Sequence, residues 1–62
     1  MKKYEKAFRT FLAVRNFLIE EENGDAYCLS AKAHRLCYNL PLKFYLGKTK
    51  KQCVKEIKEM AI

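Results

Sequence analysis

The chain lacks tryptophan, has one proline and two glycines in 62 residues, and shows no Gly-, Ser- or Pro-rich spacer, low-complexity segment or internal repeat. Half of its residues are hydrophobic, and four Tyr and four Phe are present. That composition excludes a disordered tail and predicts a folded unit with a real core. No apolar run approaches the roughly 18 residues that a membrane-spanning helix needs. Charges at Glu5, Lys6, Arg9 and Arg15 interrupt any apolar region near the start, so no secretory signal is expected. Cys28, Cys37 and Cys53 make an odd count, which argues against a disulfide framework and for a reducing, cytoplasmic setting.

The most informative absence is of acid. Across the thirty residues from Ala26 to Lys55 there is no Asp or Glu, while Lys32, Arg35, Lys43, Lys48, Lys50, Lys51 and Lys55 are all cationic. Tyr27, Tyr38, Phe44 and Tyr45 lie in the same stretch. Cations mixed with flat rings are what phosphate contacts and base stacking require of a surface. The formal net charge is +6, which favours nucleic acid, acidic protein surfaces or anionic lipid as partners. A chain of this length removes only about 60% of its unfolded surface from water. We therefore expect one small basic domain over residues 1–62, with a margin of stability that a homodimer or a bound partner would increase.

Three helices are expected. From Lys3 to Glu22, Tyr4, Ala7, Phe8, Phe11, Leu12, Val14, Leu18 and Ile19 fall on one broad helical face. Arg15 sits within that arc and is expected to snorkel to its edge. Asn23 and Gly24 should stop the helix in a left-handed cap, and Asp25 should cap the next one. Ala26, Leu29, Ala33, Leu36, Cys37 and Leu40 then recur at helical spacing before Pro41. Thr49 with Gln52 makes a capping box for a terminal helix whose apolar face is Cys53, Val54, Ile57, Met60 and Ala61. The segment between Pro41 and Lys48 reads as a loop, a single helical turn or a short strand. The fold expected is an all-α, three-helix domain. The alternative is an α+β arrangement in which Tyr27 to Ala31 and Leu42 to Leu46 form a short hairpin between two helices.

On this reading Tyr27, Ala31, His34 and Tyr38 form a second strip on the middle helix, beside Lys32 and Arg35. Lys51, Lys55 and Lys58 line one flank of the last helix and Gln52, Glu56 and Glu59 the other. Lys48 and Lys50 add charge beside its N-terminus, where the helix dipole also favours an anion. Candidate binding residues are therefore Tyr27, Lys32, His34, Arg35, Tyr38, Lys48, Lys50, Lys51, Lys55 and Lys58. The run Gly47, Lys48, Thr49 has no upstream glycine at P-loop spacing. Glu20, Glu21, Glu22 and Asp25 form the opposite pole, near a helix C-terminus where acids are unfavourable.

Residues 46 to 57 resemble the turn and first helix of a helix-turn-helix unit, through Gly47, Thr49 and the spacing of Cys53, Val54 and Ile57. Such a unit requires a recognition helix afterwards, and no family is assigned on these twelve positions. Cys28, His34, Cys37 and Cys53 do not follow a paired zinc-knuckle spacing, so no metal or other cofactor is expected. The one histidine has no evident carboxylate to orient it, and enzyme activity is not expected.

The expected function is a small non-enzymatic binding protein that engages nucleic acid, or a nucleic-acid-bearing protein complex, through the basic region of residues 32 to 58. The alternative is a protein-protein regulator or inhibitor of the phage or mobile-element accessory type, docking on an acidic surface of a host enzyme through Tyr27, Arg35 and Tyr38. Membrane binding by Lys2, Lys3, Lys6 and Arg9 with inserted phenylalanines has the weakest claim, because the core needs those rings.

Overall fold

A computed structural model describes residues 2–25 and 28–62. Helix α1 runs Lys2–Asp25, α2 Cys28–Cys37 and α3 Lys50–Ala61, with one 3-10 turn at Leu42–Tyr45 between α2 and α3. There is no strand among the described residues, so the fold is all-α and the hairpin alternative is excluded. At 1.5 Å rise per residue α1 spans about 36 Å, matching the 36 Å long axis of the molecule. The other elements pack against it.

The core follows from the apolar periodicity. Ala7, Val14 and Leu18 of α1, Ala33 and Cys37 of α2, and Cys53, Val54 and Ile57 of α3 are buried together around Tyr45. Phe11, Phe17, Leu36, Leu40, Leu42, Phe44 and Leu46 close the edges of this cluster. Tyr45 is 1% exposed, and its hydroxyl donates to the Cys37 carbonyl oxygen at 3.0 Å. The expectation of Tyr45 as a surface ring is thus corrected: among the described residues it is the largest side chain fully enclosed by the fold. Met60, placed on the apolar face of the last helix by its spacing, is half exposed.

Two helix ends differ from the sequence reading. Helix α1 does not stop at Asn23 but continues through Gly24 to Asp25, and the positive φ expected at Gly24 is found at Gly47 instead, at 71°. Contacts from other helices hold the last turns of α1. Lys58 Nζ meets Glu21 Oε1 at 2.7 Å, Ser30 Oγ donates to the same carboxylate at 3.1 Å, and His34 Nδ1 lies 3.0 Å from Glu22 Oε1. These partners offset the adverse dipole interaction that the sequence leaves unanswered. Helix α2 closes at Cys37, three residues short of Leu40, as the Tyr38 and Asn39 amides turn back to the Arg35 and Leu36 carbonyls. Thr49 caps α3 as expected, accepting from the Gln52 amide at 3.2 Å. The reciprocal half of the box is absent, because the Gln52 side chain donates to Glu56 Oε2 instead. The expected roles of Asp25 as a cap and Tyr27 as a surface ring rest on side chains outside the described residues.

Candidate nucleic-acid interface

The N-terminal half of α1 lies beside the turn that leads into α3, because Ala7 and Phe11 pack against the region of Tyr45 and carry α1 past Gly47. A cleft of about 370 Å³ opens there, lined by Lys3, Lys6, Ala7 and Thr10 of α1 and by Tyr45, Leu46, Gly47, Lys48 and Thr49. Three lysines and two threonines are among these residues; the Thr10 hydroxyl donates to the Lys6 carbonyl oxygen at 3.1 Å, and the Thr49 oxygen accepts from the Gln52 amide. Gly47 makes this possible. Its left-handed backbone turns the chain out of the core and delivers Lys48 and Thr49 to the start of α3.

The charges of the cleft are not equivalent. Lys48 Nζ binds Glu56 Oε1 at 2.8 Å and stands 3.7 Å from the Phe44 ring centroid. The Lys48 hydrogen bond holds the Glu56 carboxyl below its ordinary value of 4.5. Lys3 and Lys6 are exposed and make none of the three lysine or arginine ion pairs formed among the described residues. The uncompensated charge at the cleft therefore comes from α1. Lys2 adds to it, while Arg9 is paired with Glu5 at 3.4 Å.

A second cavity, of about 280 Å³, also borders the start of α3 and is lined by Phe17, Lys50, Lys51 and Val54. Lys50 Nζ is 5.0 Å and Lys58 Nζ 5.9 Å from the Phe17 centroid. A third, of about 230 Å³, is lined by Phe8, Phe11, Cys37, Tyr38, Leu40, Leu42 and Tyr45 and has no cation in its wall.

The sequence-derived candidates separate accordingly. Lys48, Lys50 and Lys51 come together at the start of α3, and Lys55 stands exposed one turn beyond Lys51. Lys58, expected as the third member of an outward stripe, instead ties α3 to Glu21; the Lys58 hydrogen bond, aided by Ser30, holds the Glu21 carboxyl below 4.5 against the opposing effect of burial. Lys32 and Arg35 are exposed on α2 and line neither basic cavity. His34 is half-buried between Glu22 and the Tyr38 hydroxyl, which lies 3.2 Å from Nε2. It has the orienting carboxylate that the sequence does not reveal, supplied by α1 from twelve residues away. Tyr38 is 55% exposed.

Lys3, Lys6, Thr10 and Phe17 were not among the sequence candidates for this site. Their signal was nonetheless present: Lys3, Thr10 and Phe17 stand seven residues apart, which on an α-helix keeps them within about 20° per step of one line. Arg15 leaves the apolar arc as expected, bonding Asn16 Oδ1 through Nε and Nη2. Among the described residues no three His, Cys, Asp or Glu side chains converge to hold a metal, and no helix is long and apolar enough to cross a membrane. Burial raises the Cys37 and Cys53 thiols above their ordinary value. Comparison with protein families, curated proteins and solved structures finds no match.

Proposed function

We propose that the protein is a small binding module for nucleic acid, or for a nucleic-acid-bearing protein complex, and that it grips backbone phosphate at the cleft between α1 and the start of α3. The observation that carries this reading is the convergence of Lys3, Lys6 and Lys48 with the Thr10 and Thr49 hydroxyls around one concave site. Lysine is a compact point charge suited to phosphate, and the Thr49 hydroxyl, whose oxygen accepts from the Gln52 amide, keeps its proton to donate without sequence readout, whereas the Thr10 hydroxyl already donates to the Lys6 carbonyl oxygen at 3.1 Å. The polarity of the molecule orients docking. Glu20 is exposed about 26 Å along the α1 axis from the Lys3 level, while Glu21 is answered by Lys58 and Glu22 lies against His34, so the free cations that draw a polyanion stand towards the start of α1.

Titration of labelled oligonucleotides at several salt concentrations tests the reading. The log of the association constant should fall linearly with log salt, and Lys3→Gln with Lys6→Gln should flatten the slope by about one unit for each phosphate no longer held. An unchanged slope sinks the cleft as the phosphate grip.

A second reading has its own observation. Tyr38 is exposed at an apolar groove that Phe8, 50% exposed, also lines, and Arg35 is exposed in the last turn of α2, three residues before Tyr38. Tyr and Arg anchors of this kind suit a regulator that docks on an acidic protein surface. With a captured protein partner in hand, Tyr38→Ala and Arg35→Ala should each weaken the complex at least tenfold, and retention of affinity removes this reading.

A further inference from the structure

Resting on the nucleic-acid reading, we propose that the cavity floored by Phe17 is a stacking subsite for one unpaired nucleobase, which makes the preferred ligand a single strand.

Phe17 packs one side against the core while its ring borders a cavity walled by Lys50, Lys51 and Val54. That volume, about 280 Å³, lies just below the roughly 300 to 1,000 Å³ of drug-sized ligand sites, which suits a single flat ring system. Two ammonium groups already lie within 6 Å of the ring centroid, 5.0 Å for Lys50 and 5.9 Å for Lys58. A base stacked on Phe17 replaces the weak attraction between Lys50 and the ring, and frees that ammonium for the adjoining phosphate.

Position decides between this ring and the others. Lys3 and Thr10 line the phosphate cleft, and Phe17 continues their stripe two turns, or about 10 Å, further along α1. Helix α3 begins beside both, with Thr49 in the cleft and Lys50 on the shelf. A strand following α1 therefore meets phosphate ligands and a ring face in succession. Tyr38, the most exposed ring among the described residues, opens on a groove with no cation in its wall, and Tyr45 is enclosed. In a duplex the base faces are stacked on one another and unavailable to Phe17, so the ring discriminates for unpaired bases.

The test compares wild type with Phe17→Leu against a single-stranded DNA, the matching RNA, the duplex, and an abasic sugar-phosphate strand of equal length. The variant should lose roughly 10- to 100-fold in affinity for either single strand, keep its salt slope, and bind the abasic strand as wild type does. The wild-type Phe17 ring protons should move upfield in NMR spectra when the oligonucleotide is added, and not when inorganic polyphosphate is added. This second measurement needs no substitution, so a folding defect in the variant cannot obscure the result. Undiminished affinity of a folded variant, or ring protons that do not respond to bases, overturns the stacking subsite while leaving the phosphate cleft standing. Absence of binding to every oligonucleotide by wild type overturns both.

Discussion

The phenolic hydroxyl of Tyr45 donates to the main-chain oxygen of Cys37 at 3.0 Å. In a continuing helix that oxygen would accept from the amide of residue 41, four positions on. Residue 41 is Pro41, which has no amide hydrogen to give and also disfavours helical backbone at Leu40. The 3-10 turn that follows Pro41 brings Tyr45 back beneath the end of α2, where its hydroxyl takes the place of the missing donor. The proline thus ends the helix, and the residue four positions later satisfies the carbonyl it leaves open.

Tyr45→Phe keeps the ring and removes this donor. It should destabilise the protein by about 1 to 2 kcal/mol, because the Cys37 oxygen is left buried and unpaired. For a domain of this size that lowers Tm by roughly 4 to 8 °C per kcal/mol. Tyr45→Ala should cost about 3 to 5 kcal/mol, enough to abolish cooperative unfolding in a small domain. Thermal melts followed by circular dichroism distinguish the two. If Tyr45→Phe melts with wild type, the bond has no structural role.

The two glycines should respond to alanine with opposite signs. An added Cβ meets nothing within 4 Å at either position, so backbone geometry alone decides. Gly47 has φ of 71°, and Gly47→Ala should cost about 1 to 2 kcal/mol. Gly24 lies inside α1, and Gly24→Ala should stabilise by roughly 0.5 to 1 kcal/mol. A destabilising Gly24→Ala would show that α1 does end there.

These glycines also mark where the sequence was legible and where it was not. The spacing of Ala7, Val14 and Leu18, and of Cys53, Val54 and Ile57, identified two buried faces, because helical periodicity is a local property. Thr49 was readable as a cap for the same reason. The end of α1 was not, because it depends on Ser30, His34 and Lys58, which reach it from the other helices. Nor could the basic region of residues 32 to 58 be divided by composition into free and engaged lysines. Lys48 and Lys58 belong to ion pairs, while Lys3 and Lys6, far away in the chain, complete the cleft. Tyr45 read as a surface ring because a tyrosine among lysines is indistinguishable in sequence from one folded under them.

The Glu21 to Lys58 bridge should appear in the acid limb of stability. Lys58 holds the Glu21 carboxyl below 4.5 in the folded protein. Its contribution is therefore complete above that value and is lost as pH falls through the lower, folded one. Glu21→Gln should lower stability at pH 7 by about 0.5 to 1 kcal/mol, given that both side chains are partly in water. The difference from wild type should shrink towards pH 3. Paired denaturant curves at the two pH values check this, and a difference independent of pH would assign the effect to Ser30 rather than to charge.

Lys58 also separates two meanings of a lysine stripe. Lys51, Lys55 and Lys58 share one flank of α3, yet Lys51 and Lys55 are exposed while Lys58 binds Glu21 at 2.7 Å. Lys51→Gln and Lys55→Gln should leave Tm unchanged to within a degree or two, since exposed charges contribute little to folding. If the strand runs past the start of α3, each should reduce the salt slope of oligonucleotide binding by about one unit. Lys58→Gln should do the reverse, lowering Tm by a few degrees with a smaller change of slope, because its charge is already answered by Glu21. The lowered Tm should be reproduced by Glu21→Gln and not deepened in the double variant, as expected for two residues whose effect is shared. Equal slopes and equal Tm losses for all three lysines would mean that the flank acts as one solvated surface and that the division drawn from the Glu21 bridge is wrong.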